Sequence, residues 1–221
     1  MNCKHCKAEW TPPANGSLTS CPFCHKPLNE VSEVGELYPS VKINNLVWMA
    51  ENLNLSHFRN GEPIPEIQSN EEWLQAGEQG KPAWCYYDND PENGKKYGKL
   101  YNCFAVNDPR SLAPEGWHVG SDKEWNELTF FIGSPWVVGR NLKSKTGWDY
   151  DGNGIDDFGF GGLPGGYRLP SGEFNFVRCE GRWWSSTKLW HRVMYVEDDE
   201  IFRHNNHPGY GFSVRCLRDI G

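Results

Sequence analysis

Glycine and proline punctuate this chain, 24 and 15 of them among 221 residues, and restrict it to short elements joined by tight turns and irregular connections. Its 11 tryptophans supply large, rigid, half-polar surfaces for a small core or a binding face. With 38% apolar and 23% charged residues the chain reads as a soluble globular protein, and its length allows one ordinary domain plus a small module. The formal charge of −7 argues against a nucleic-acid partner, because neutralising phosphates takes clustered Lys and Arg. No apolar run approaches the roughly 20 residues that span a bilayer, so no membrane association is expected. The start, Met1 to Cys6, lacks the apolar core of a secretory signal, and a cytoplasmic location is the expectation.

Four of the 8 cysteines, Cys3, Cys6, Cys21 and Cys24, form two C-x-x-C pairs. Each pair presents two thiolates from one backbone knuckle, and two knuckles complete a tetrahedral structural zinc site. The turn-rich stretch from Thr11 to Ser17 suits the hairpin of a zinc ribbon over residues 1–28. A segment this short has almost no core, so zinc supplies most of its folding free energy. Ribbons of this kind dock assembly partners. Cys85, Cys103, Cys179 and Cys216 are scattered, and Cys216 shares a strand face with Phe212 and Val214, which marks it as a buried small hydrophobe.

Residues 29–40 read as a polar linker, and residues 41–221 as one α+β domain. Val41 to Met49 predicts a β-hairpin turning at Asn44-Asn45. Two short helices open at Ser69 and Ser121, the second with Glu124 completing a capping box. The remainder predicts several short antiparallel strands and long loops. Ala83–Tyr87 and Leu100–Val106 are strand candidates, 149–166 is a Gly/Asp loop, and the tail from Trp183 to Asp219 reads as three strands.

Alternation in that tail singles out a final hairpin. With Asp198-Asp199 as a two-residue turn, Glu197 faces Glu200, Tyr195 faces Phe202, and Val193 faces His204. Met194, Val196 and Ile201 then point one way, while His191, Val193, Tyr195, Phe202 and His204 point the other. A face of rings opposite an aliphatic face has the composition of a binding hot spot. Lys188, Leu189, Trp190, Asn205, His207 and Tyr210 extend it, and a protein is the expected ligand.

Asp149, Asp151, Asn153, Asp156 and Asp157 alternate around glycines as in calcium loops, although the twelfth position is Phe160 rather than a bidentate Glu. The same residues also fit a solvated turn whose Asx side chains bond their own backbone. His118, between Trp117 and Val119, reads as a structural histidine.

Six blocks, in order, resemble the Fibrobacter succinogenes major paralogous domain: Trp48–Leu53, Tyr97–Asn102, Pro114–Val119, Gly162–Arg168, Trp183–Thr187 and Ser213–Asp219. The resemblance covers residues 46 to 219. It implies a C-type-lectin-like fold related to formylglycine-generating enzymes, and for a subset of members a role as variable proteins of diversity-generating retroelements, in which the final hairpin, here Lys188 to Tyr210, carries the diversified surface. It differs in having Ala113 where the family often has a Cys. A cysteine-dependent oxidase resembling those relatives needs two nearby reactive cysteines late in the chain, and Cys216 stands alone in the last strand. The signatures of calcium-dependent sugar sites are absent. The expectation is therefore a binding protein rather than an enzyme, with the oxidase and a carbohydrate-binding lectin module as alternatives.

Overall fold

The computed structural model describes residues 38–220, so the two C-x-x-C knuckles and the linker up to residue 37 lie outside the described residues. The described domain begins with Tyr38. Its ring meets Trp117 edge-on at 6.1 Å, and Pro39 O accepts from Ala50 N.

The first hairpin forms as its sequence predicts. Strands β1 (Ser40–Ile43) and β2 (Leu46–Met49) pair antiparallel with Val41 opposite Trp48. Asn44 takes a positive φ of 55°, which an Asx side chain tolerates and a primed hairpin turn requires. Helix α1 (Asn70–Glu78) starts where Ser69 Oγ accepts from Glu72 N. It buries Trp73 and Ala76. Strand β3 (Trp84–Cys85), helix α2 (Pro91–Tyr97), strand β4 (Leu100–Tyr101) and helix α3 (Cys103–Val106) follow. The predicted strand over 100–106 is thus cut after two residues, because the Asn102 side chain accepts from Ala105 N and caps a helix instead. Strand β5 (His118–Val119) leads into α4 (Asp122–Ile132), whose capping box is complete, and α5 (Pro135–Leu142) begins with Pro at its first turn. Five α-helices replace the two that were predicted. The extra three are 4 to 8 residues long, too short to show a periodic stripe.

The tail holds strands β6 (Gly165–Arg168), β7 (Phe174–Val177), β8 (Glu180–Trp184), β9 (Trp190–Tyr195), β10 (Phe202–Asn205), β11 (Ser213–Val214) and β12 (Cys216–Asp219). Within the stretch predicted as three strands there are therefore five. Among the described residues, one sheet runs β1–β2–β12–β5, a second β10–β9–β8–β6–β7 with β11 against β8, and β3 pairs with β4 in a third. Most pairings are antiparallel, but β6 and β11 both run parallel to β8. Strand β12 lies between β2 and β5, so the two ends of the described domain close one sheet.

Adjacent tryptophans in β8 divide the interior, since successive strand residues point to opposite faces. Trp183 enters a core with Trp48, Trp125 and Phe160, ring centroids 4.9 to 6.3 Å apart. Trp184 enters a second core with Tyr101, Val214, Cys216 and Phe212, the last at 4.5 Å. Burying one such ring is worth roughly 4–6 kcal/mol by area.

Loops that lack a backbone ladder are tied instead by buried cations. Arg168 donates to the carbonyls of Ile67, Gln68, Ser69 and Gly172 between the rings of Trp73 and Phe174. Arg215, fully buried, donates to Met49 O, Phe160 O, Gly161 O and Asn52 Oδ1, and burial pushes it down to about 9. Lys143 Nζ reaches Asp198 O at 2.7 Å and Val196 O at 3.4 Å.

Candidate functional site

The final hairpin forms in a different register from the predicted one. Phe202 lies opposite Val193, Arg203 opposite Arg192, His204 opposite His191, and Asn205 opposite Trp190. The connection is the six-residue stretch 196–201 rather than a two-residue turn, since β9 ends at Tyr195 and β10 begins at Phe202. Its geometry is set from outside: Lys143 holds the carbonyls of Val196 and Asp198, and Arg140 N donates to Asp199 O. The slip is two residues, an even number, so His191, Val193, Tyr195, Phe202 and His204 keep their predicted face.

Those faces are nevertheless covered unequally. Met194 and Val196 are buried on the side of α4. There Arg192 and Arg203 both engage Asp122 Oδ1, at 2.7 and 2.9 Å, and Arg203 stacks on Trp190 at 3.3 Å. Trp190 and Asn205, alternating with His191 and His204, therefore belong to this side and not to the ring face.

On the opposite face, His191 and Val193 are fully buried. They support the surface rather than reach a ligand, because Phe212 lies 4.6 Å and Trp184 5.8 Å from the imidazole. Tyr195 and Phe202 are half-buried and meet at 5.4 Å, and the exposed His204 stacks 6.2 Å from Phe202 at an interplanar angle of 16°. Strands β6 and β7 continue the strip. Tyr167 lies 5.9 Å from Tyr210 and stacks on Phe176, itself 53% exposed. Phe176 holds a positive φ of 60°, a strained conformation of the kind that recurs at ligand-contacting sites. No periodic signal marks Phe176 as a surface residue; only the β6–β7 pairing places it there, over the buried ring of Tyr167.

Arg182 ties the two halves together. Its guanidinium lies 4.5 Å over Tyr167 and 5.9 Å from Tyr195, and its Nε donates to Glu180 Oε2 at 2.7 Å. Its Nη1 is 3.2 Å from His191 Nε2. Arginine can only donate, so Nε2 accepts and the imidazole proton sits on Nδ1, a buried atom with no partner. Burial first, then the neighbouring Arg182, depresses His191 to about 3. Burial likewise lowers His204 and raises Tyr195 and Tyr167. The strip is thus aromatic and neutral, with one compensated ion pair in its floor.

Of the other predicted contacts, Glu197 and His207 are exposed, Glu200 is half-buried, and Lys188 and Leu189 lie in the loop before β9. In the Gly/Asp loop, Asp149 pairs with Arg178, Asn153 Oδ1 accepts from Trp148 N, and Asp156 Oδ1 accepts from Gly161 N, while Asp151 and Asp157 are exposed. The Asn153 and Asp156 bonds are of the internal Asx kind, and the Asp149 bond is an ion pair. Among the described residues no three His, Cys, Asp or Glu side chains converge as a metal group. Cys85, Cys103, Cys179 and Cys216 are free, and burial pushes Cys216 up to about 12. His118 Nε2 meets Glu124 Oε1 at 2.6 Å. No helix among the described residues is long and apolar enough to cross a membrane.

A family model described as the Fibrobacter succinogenes major domain matches residues 41–218. No curated protein and no solved structure matches the chain.

Proposed function

The chain belongs to the Fibrobacter succinogenes major domain family, and we propose that it is a binding protein that recognises a protein ligand through the ring face of its final hairpin. The half-exposed strip of Tyr195, Phe202 and His204, continued by Tyr210 and, over the buried Tyr167, by Phe176, carries this reading. Flat aromatic groups on strands that are already rigid lose little entropy on contact, and they bury large area per side chain. The buried layer of His191, Val193, Trp184 and Phe212 fixes their positions. The C-type-lectin-like topology belongs to the same reading, supported by the pairing of β2 with β12. So does the zinc ribbon, supported by the four-thiolate donor set of Cys3, Cys6, Cys21 and Cys24. The reading assigns no reaction to the domain.

The test is affinity capture from the native source with three baits: the full chain, Phe202→Ala with His204→Ala, and Phe130→Ser on a different surface. A protein held by the first and third baits and released by the second supports the ring face. Equal retention by all three baits removes it. A reverse-transcriptase gene and an adenine-differing near-copy of the 3′ coding end beside the gene would narrow the reading to a diversified variable protein.

A further inference from the structure

A second surface lies on the other side of the hairpin. Helix α4 turns Trp125 and Leu128 into the core, yet Phe130 is 88% exposed, and Trp136 at the start of α5 is 72% exposed. Phe131 and Val137 between and beside them are exposed as well. Large apolar groups this close together and this open mark an interaction site rather than ordinary surface.

Phe130 lines a cleft of about 730 Å³ between α4, α5 and the end of the hairpin connection, together with Val138, Pro135 and Ile201. Its α4 wall is made by Lys123, Asn126, Glu127, Thr129 and Phe130, with Gly133 just past the end of the helix. Lys123, Asn126, Glu127 and Phe130 follow i, i+3, i+4 and i+7, so they form one stripe and the cleft runs along the helix. Eleven residues of α4 give a groove about 16 Å long, the span of three helical turns.

The charge beside the groove is net negative, although the buried Lys143 ammonium lies against the same connection. Lys123 and Glu127 pair with each other at 3.5 Å. The connection next to Ile201 carries Glu197, Asp198, Asp199 and Glu200, and none of these carboxylates has an ion-pair partner among the described residues. Their backbone is held against α5, where Arg140 N donates to Asp199 O.

We propose that this groove binds a basic amphipathic helix of a partner protein. Apolar side chains spaced i, i+3, i+4 and i+7 enter the cleft beside Phe130, and Lys or Arg on the flank of that helix meets the Glu197–Glu200 carboxylates. Anionic lipid, the other apolar surface that takes exposed Phe and Trp, is repelled by the same four charges. The inference stands apart from the ring face, which lies on the opposite side of β9 and β10.

The probe is a labelled amphipathic Leu/Lys helix of about five turns, titrated into the full chain by fluorescence anisotropy, beside a Leu/Glu helix of the same pattern. The expected result is saturable binding of the Lys helix at one per chain, with the Glu helix at least about tenfold weaker. Phe130→Ser should weaken the Lys helix at least about tenfold. Phe130 is open to solvent, so this variant folds, while Phe176→Ser on the ring face leaves the affinity unchanged. Replacing Glu197, Asp198, Asp199 and Glu200 by their amides should weaken it and flatten its salt dependence. Equal binding of the two helices, or of Phe130→Ser and the parent chain, overturns the proposal. So does a dimer of the full chain that Phe130→Ser splits, or retention on anionic vesicles that the same change abolishes.

Discussion

Arg182 Nη1 donates to His191 Nε2 across 3.2 Å, and this bond decides the state of the imidazole beneath the ring face. A guanidinium cannot share a nitrogen with a second proton, so the bond exists only while His191 is neutral. The unpartnered Nδ1–H is the cost of that arrangement.

Stability should therefore fall in mild acid. His191 has a folded pKa of about 3 against 6.5 unfolded, so between those values the unfolded chain binds the extra proton and stability rises with pH. Urea unfolding should lose about 1.4 kcal/mol per pH unit below 6.5. His191→Gln, which keeps an acceptor for Arg182 and does not titrate, should make the curve shallower between about pH 6.5 and 5, leaving the part due to His204, whose folded value burial also lowers. Two neighbours act outside that window. The Glu124 hydrogen bond raises His118, whose contribution is complete below 6.5 and is lost as pH rises through its folded value. Glu124, lowered to about 2 by His118 and Ser121 against its burial, contributes above 4.5 and is lost below that. An unchanged slope in His191→Gln would show that the imidazole is not the source.

Arg215→Met should destabilise the domain by at least about 3 kcal/mol, measured by chemical unfolding. The substitution keeps the stem and removes the donors, leaving Met49 O, Phe160 O and Asn52 Oδ1 without the guanidinium in a buried site. A loss below about 1 kcal/mol would mean that the loops around Phe160 and Gly161 rearrange to satisfy those carbonyls among themselves.

Gly139→Ala should destabilise, against the usual gain of up to about 1 kcal/mol for that change inside a helix. A Cβ at this α5 position would lie 2.2 Å from Glu200 O and 2.8 Å from Asp199 O, both backbone atoms that no rotamer can move. The expected loss is about 1–3 kcal/mol, with a shift in the β9–β10 connection visible in amide spectra. A stabilised variant would mean that the connection is free to move off α5.

Metal analysis of the full chain should give about one zinc per chain, and Cys3→Ser or Cys24→Ser should remove it while the unfolding transition of the domain from residue 38 stays in place. A folded N-terminal segment free of metal would refute the ribbon.

Much of the domain was legible where the deciding forces act between near neighbours in the chain. Ser69 and Ser121 cap the helices they precede, Asn44 turns the first hairpin, and Cys216 is buried as its alternation indicated. The period of two also divided the final hairpin correctly, and its faces survived an error of register because the slip was even. The sequence by itself therefore determined local caps, turns and side-chain direction, each governed by contacts a few residues apart. Tertiary structure alone decided the register, through Lys143 and Arg140 holding a connection more than fifty residues away. It also decided which rings stay open. His191 and Tyr195 share one strand face, yet Phe212 and Trp184 seal the first, and nothing comparable among the described residues covers the second. Alternation fixes where a side chain points, but burial depends on what a distant segment brings to meet it.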